Sequence, residues 1–258
     1  MAVRKFSLAE DGVSESIGFI LIFTIVIAGI GLVTLYGYPM LLQQQTGANE
    51  RIMEKNMIVL QNDVKSLAYK TVPYKESSLK VEGGSLTVYN TLSTPPVATF
   101  SVTDCVGGNY VDPFPSGDLR YSSLSAGAEI SLQNGAVVTR RLNEPGSVML
   151  AEPRWFYDAP TNTVVLNLIG FNSTDIMSRA GIGTVQIAMG DTDYKTYPIT
   201  GDLCIKYDSN PDYSDAWENY FRNSLKMTGT GPEYRFPLDA SKPATLVIKK
   251  FDVTIKSL

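Results

Sequence analysis

Between Ile17 and Leu42 the chain carries no charged residue, reading IGFILIFTIVIAGIGLVTLYGYPMLL. At about 1.5 Å per residue this run makes a helix roughly 39 Å long, more than the ~30 Å hydrocarbon core of a bilayer. A helix that is apolar on every face cannot be covered from one side by a globular core, so the segment is predicted to span a membrane. Beyond it the pattern changes. Ile52, Met53, Met57, Leu60, Val64 and Leu67 recur at steps of three and four, with Arg51, Glu54, Lys55, Asp63 and Lys65 between them. One long helix, apolar and then amphipathic to about residue 68, is expected from about Glu15 to Ala68, with Gly29, Gly31, Gly37 and Pro39 marking a place where it bends. A cleaved secretory signal has an apolar region of only about 7–15 residues and a small-residue cut site after it. Here the run is longer and leads into Gln43-Gln44-Gln45-Thr46-Gly47-Ala48.

Past Val72 the periodicity turns to alternation. Ser78 to Tyr89 reads as two short strands around Gly83-Gly84, and Glu129 to Arg141 as a hairpin closed by Asn134-Gly135, two residues that tolerate positive φ. Further strands are expected at Val97–Val102, Thr163–Ile169 and Leu203–Tyr207. Thr184–Met189 and Tyr194–Ile199 are expected to be joined by a turn at Gly190-Asp191-Thr192-Asp193, and Ala244–Leu258 forms the last strand. A single helix interrupts them after Pro211, with Trp217, Tyr220, Phe221 and Leu225 on one face. That stripe is read as core packing on the sheet rather than as a ligand platform. Asp212 or Ser214 is expected to cap it. The segment Gly107–Gly117 reads as an irregular exposed loop. The fold class is therefore α+β: a long N-terminal membrane helix, then a mainly antiparallel, β-sandwich-like domain with one short helix. Three regions follow: a leader over 1–12, the long helix over 13–70 with its transmembrane part at 17–42, and an extracytoplasmic domain over 71–258.

Composition narrows the chemistry. The chain of 258 residues has no histidine, which removes the commonest general base and transition-metal ligand, and with them Ser-His and Cys-His nucleophile pairs. A net charge of −4 without a basic patch gives no electrostatic footprint for nucleic acid. No phosphate loop or nucleophile-base pair stands out, so neither enzyme activity nor a cofactor is expected. Cys105 and Cys204 have two readings: one disulfide closing a long loop outside the cytoplasm, or two separate buried thiols.

The stretch Asp11-Gly12-Val13-Ser14-Glu15-Ser16-Ile17-Gly18-Phe19-Ile20 resembles the class III signal of archaeal type IV pilin-like proteins. There a short charged leader precedes a cut site, and a polar-apolar start runs into the retained helix. The resemblance implies cleavage by a prepilin peptidase between Gly12 and Val13. It departs from the pattern at Glu15, which would be third after the cut where many pilins carry glutamate fifth, and which replaces a proline common after Val-Ser. The body is similar to archaeal pilin-like proteins of unassigned function, which carry a W-x-x-Y-F segment like Trp217-Glu218-Asn219-Tyr220-Phe221. Arg4 and Lys5 in the leader favour a cytoplasmic N-terminus, which would put everything after Leu42 outside.

Other motifs have ordinary readings beside the functional one. Asp191, Asp193 and Asp202 match a fragment of a calcium loop but also a solvated turn, as do Asp208, Asp212 and Asp215. Asn172-Ser173-Thr174 is a glycosylation sequon, meaningful only outside the cytoplasm. Glu152-Pro153-Arg154-Trp155 reads as a turn into a strand, or as an arginine–aromatic anchor for a partner.

The leading expectation is a pilin-like, single-pass cell-surface protein. Its partners would be membrane lipid, the prepilin peptidase and other pilins or copies of itself, in a filament for adhesion or display. The rivals are a monomeric, membrane-anchored binding module and a carboxylate-dependent hydrolase with two acids roughly 5–10 Å apart.

Overall fold

The computed structural model describes residues 11–70, 72–123, 127–175, 177–229 and 231–258, with side chains from residue 16 onward. The leader charges Arg4, Lys5 and Glu10 lie outside the described residues. Two compact units divide at Ala48/Asn49.

In the first unit, helix α1 (Asp11–Leu32) leads through a π-helical turn at Val33–Gly37 into helix α2 (Tyr38–Lys70). The π turn falls where the sequence marks a bend. Pro39 has no N–H to offer the preceding turn, and widening the ladder accommodates it, with Tyr38 N–H reaching Val33 O. Every Ile, Leu, Val and Phe from Ile17 to Leu42 is exposed. The helical stretch from Ser16 is long and apolar enough to cross a membrane, with a window of mean hydropathy 2.7.

The second unit begins within α2 and, among the described residues, continues through thirteen strands. These are β1 (Tyr74–Tyr89), β2 (Ala98–Thr103), β3 (Asn109–Pro115), β4 (Asp118–Ser123), β5 (Ala128–Gln133), β6 (Ala136–Arg141) and β7 (Ser147–Ala151). Then follow β8 (Phe156–Asp158), β9 (Thr163–Ser173), β10 (Ser178–Ile199), β11 (Cys204–Ser209), β12 (Glu233–Arg235) and β13 (Ala244–Ser257). The short helix α3 (Ser214–Asn219) lies between β11 and β12 and runs into a π turn at Tyr220–Ser224.

Nine strands form one sheet in the order β7-β6-β5-β4-β1-β10-β13-β9-β8, and four form a second, β12-β11-β2-β3. All pairs are antiparallel except β13 with β9. The large sheet carries a core on each face, and alternate residues of one strand feed two different cores. Val164, Leu166 and Leu168 of β9, with Leu246 and Ile248 of β13, pack toward the small sheet and α3. Ile169 and Phe171, with Phe251, Val253 and Ile255, pack on the opposite face against Met53, Met57, Leu60, Val64 and Leu67 of α2. The amphipathic half of α2 is thus a layer of the domain. Buried Gln61 ties it down, its Nε2 donating to Gly135 O at 2.7 Å and Glu152 O at 3.0 Å.

The Asn134-Gly135 hairpin forms as expected, with φ of 46° and 73°. Two other glycine signals are not turns. Gly83-Gly84 lies inside the continuous strand β1, where the register against β10 shifts between Val81 and Leu86. A Cβ on Gly84 would run into the Ser122 carbonyl and the Tyr121 ring, so glycine here lets β4 approach. Gly190 likewise sits within β10 at a one-residue bulge between Met189 and Thr192, not in a hairpin. The expected loop over 107–117 contains β3, the edge of the small sheet, whose Pro113 and Pro115 are tolerated there. Asp104 closes the β2–β3 connection, its Oδ1 accepting the N–H groups of Val106, Gly107 and Gly108 at 2.8–2.9 Å.

Trp217, Tyr220, Phe221 and Leu225 are all buried, so the aromatic stripe is core. Asp212 Oδ1 accepts Ser214 N–H at 2.8 Å at the start of α3. Hydrogen bonds from the Ser214 hydroxyl and amide hold the carboxyl below its ordinary range. A depressed carboxylate contributes stability above its unfolded pKa, near 3.9, and that contribution is lost as pH falls through the folded value. Asp212→Ala removes this hydrogen bond and should cost about 0.5–1 kcal/mol at pH 7. The deficit should close toward pH 3 in urea unfolding followed by tryptophan fluorescence. A constant gap across that range would show that the Asp212–Ser214 hydrogen bond is not ionic. The N-cap position itself is Tyr213, with no side-chain cap bond, so neither Asp212 nor Ser214 caps α3.

Candidate functional site

The large sheet extends past the last turn of α2, and the strip left uncovered becomes the floor of a groove of about 910 Å³. The register builds the floor in cross-strand rows. Phe156, Val165 and Val247 are successive partners, then Asn167, Lys249 and Tyr194, then Phe251 and Thr192. The end wall is Leu67, Ala68, Tyr69, Val72 and Pro73, and the β10 bulge brings Met189, Gly190 and Asp193 to the rim. A contiguous recess is lined by Asn62, Lys65, Ser66, Lys70 and Pro153, sharing Tyr69 and Arg154 with the groove.

Aromatic and cationic groups dominate the lining. The Arg154 guanidinium lies over the Tyr69 ring at 4.7 Å, Tyr69 meets Phe251 edge-on at 5.6 Å, and Lys249 Nζ is 5.7 Å from the Tyr194 ring centre. Tyr194 and Phe156 are 61% and 45% exposed, surfaces that a folded domain alone does not require open. Burial and the nearby Arg154 lower the Lys65 ammonium pKa, with Glu152 opposing. Burial likewise pushes the Tyr69 hydroxyl up to about 12. Among the described residues, Lys65, Lys70, Arg154 and Lys249 form no ion pair with a carboxylate. Asp193 is the one carboxylate of the groove lining, and it pairs with Lys195 at 3.5 Å.

The segment Glu152–Trp155 is anchored from beneath. Trp155 Nε1 donates to Asn167 O at 2.6 Å, and Asn167 Nδ2 donates to Arg154 O. Buried Trp155 fixes the backbone while exposed Arg154 points into the groove lining. Of the groove residues only Arg154 belongs to a motif that stands out in sequence. Tyr69, Phe156, Tyr194 and Lys249 come from α2, β8, β10 and β13, segments distant in sequence that the sheet order brings together.

The other sequence candidates lie elsewhere. Gly12 and Val13 fall in the first turns of α1. Asn172 lies near the end of β9, half-buried, accepting the Thr91 hydroxyl. Asp202 pairs with Arg235 at 3.0 Å and is not assembled with Asp191 and Asp193 into a cation site. The grouping with metal-ligand spacing among the described residues is Cys105, Cys204 and Glu233. Its two sulfurs are bonded to each other, so they offer no thiolates.

Cys105 follows β2 and Cys204 opens β11, two paired strands, with Cα atoms 5.2 Å apart and a sequence separation of 99. A loop of that length removes much denatured-state entropy. Reduction, or Cys105→Ser with Cys204→Ser, is expected to cost about 2–4 kcal/mol, read as a lower urea midpoint. An unchanged midpoint would assign the bridge no role in stability.

Residues 12–255 match a family of unknown function, DUF7289. The chain belongs to the DUF7289 family. No curated protein and no solved structure matches it. The DUF7289 match takes in the apolar helix together with the β domain and begins at Gly12.

Proposed function

We propose that this DUF7289 protein is a pilin-like cell-surface subunit. A prepilin peptidase would cut it between Gly12 and Val13. The apolar helix would then hold it in the membrane, before bundling with copies of itself or other pilins in the core of a filament used for adhesion or display.

One observation carries this reading: the side chains of Ile17 to Leu42 are exposed and apolar on every face. Such a surface is stable only under lipid or against like helices. Space around Gly29 and Gly31 is open within 4 Å of where a Cβ would stand, which favours close helix approach. The family match begins at residue 12, beside the proposed cut. A disulfide suits a body facing an oxidising exterior. The reading is of a structural and binding protein rather than an enzyme, in keeping with a chain that has no histidine.

The test is the N-terminal residue of the mature protein, by mass spectrometry on membrane and shed-surface fractions. The expected start is Val13 with the helix retained. A mature chain still carrying Arg4 and Lys5 would overturn processing. The second reading, a monomeric anchored binding module, would then stand, and the groove beside Arg154 already favours a binding role for the body.

A further inference from the structure

We propose that the groove beyond the end of α2 binds an acidic saccharide, a short glycan bearing carboxylated sugars. The inference gives the binding body a ligand class and is physically independent of processing or filament assembly. Arg154 and Lys249 line the groove and Lys65 and Lys70 the adjoining recess, and among the described residues none of the four pairs with a carboxylate, in a protein whose net charge is −4. Elsewhere on the body cations are commonly matched: Arg140 with Glu129, Arg235 with Asp202 and Arg222 with Glu218. Concentrating unmatched positive charge in one concave site is costly unless an anion neutralises it, and Arg154 presents a planar fork suited to a carboxylate.

The remaining lining selects among anions. Tyr194 and Phe156 are exposed and belong to neighbouring cross-strand rows, offering flat apolar faces to a sugar ring. Thr192, Asp193 and the Tyr69 hydroxyl add hydroxyl-binding donors and acceptors to the lining. A lipid chain is disfavoured, because Lys249 stands in the middle row where acyl carbons would lie. An extended peptide adds to a sheet through backbone groups at an edge, whereas this groove lies on a sheet face that presents side chains. A volume of 910 Å³ fits a ligand of two or three sugar rings on the scale of ordinary ligand clefts.

The experiment is isothermal titration calorimetry of the detergent-solubilised full chain with trigalacturonic acid, maltotriose and inorganic phosphate as separate probes. The expected result is saturable binding of trigalacturonic acid, at least about tenfold tighter than either of the others. Arg154→Gln should weaken it by about tenfold or more, and Tyr194→Ala, at an exposed position, several-fold. Tyr194→Ala keeps the test open should Arg154→Gln misfold. Equal binding of maltotriose would overturn the requirement for charge, and phosphate binding as tight as the trisaccharide would overturn the saccharide. No heat with any probe, or affinity unchanged in both variants, would overturn the site itself. All of these outcomes are read on purified protein, so they are separable from the identity of its mature N-terminus.

Discussion

Replacing Ile25 and Val26 together by aspartate is expected to shift the protein from the membrane fraction to the soluble or degraded pool. Fifteen residues between Ile17 and Leu42 are Ile, Leu, Phe or Val. At about −0.3 to −0.6 kcal/mol each they favour insertion by roughly 4–9 kcal/mol. Two aspartates near the centre cost about 2.5–3.5 kcal/mol apiece, and two of the favourable contributions disappear with them. The balance falls to around zero. Adjacent positions project about 100° apart on a helix, so no single rotation hides both charges. Ile25→Leu with Val26→Leu should insert normally. The measurement is resistance to carbonate extraction. A double-aspartate variant that still resists it would show that this segment is not what holds the protein in the membrane. In the filament reading the same variant also loses assembly, since the charged face would meet like helices.

The elements legible in sequence are those whose signal is local. A 26-residue uncharged run declares itself by composition. Met53, Met57, Leu60, Val64 and Leu67 declare a helix with one buried stripe, and each is buried. Asn134-Gly135 has a sheet partner on either side of it in the chain, so turn chemistry and topology agree. Gly83-Gly84 and Gly190 carry the same local chemistry and mean something else. Around both, the flanking residues pair with other strands, β4 and β10 in one case and β13 in the other, and the glycine becomes a bulge or a close approach. No window of sequence contains that information. The groove was hidden for the same reason. Its floor depends on β13 lying parallel to β9, a pairing between distant segments with no turn to announce it. Its opening depends on α2 ending at Lys70 while the sheet continues. Arg154 could be singled out because a proline and a tryptophan flank it. Lys249 and Tyr194 look like any polar positions of alternating strands.

Trp217→Ala is expected to destabilise the β domain by about 3–5 kcal/mol, the range for deleting a fully buried tryptophan. Trp217 has no exposed surface, and its ring centre lies 4.8 Å from Phe100, 5.2 Å from Tyr207, 5.6 Å from Phe221, 5.7 Å from Trp155 and 6.0 Å from Tyr220. These neighbours come from the small sheet, the Glu152–Trp155 segment and the π turn after α3, so collapse around the void would have to move three elements at once. The indole N–H has no hydrogen-bond partner among the described residues, so Trp217→Phe removes volume without breaking a bond. It should cost only about 1–2 kcal/mol. The two variants thus grade the size of the cavity, read as urea midpoints with the disulfide intact. Equal losses in both would mean that something other than the cavity dominates. The cavity also reaches toward the groove. Trp155 packs on Trp217 and holds Asn167, whose side chain in turn holds the Arg154 carbonyl. Trp217→Ala should therefore loosen the backbone that carries Arg154, although Trp217 does not line the groove. Amide exchange across residues 152–156 is expected to quicken in Trp217→Ala and to stay near the parent rate in Trp217→Phe. Unchanged exchange in the alanine variant would mean that the groove is braced by the sheet alone.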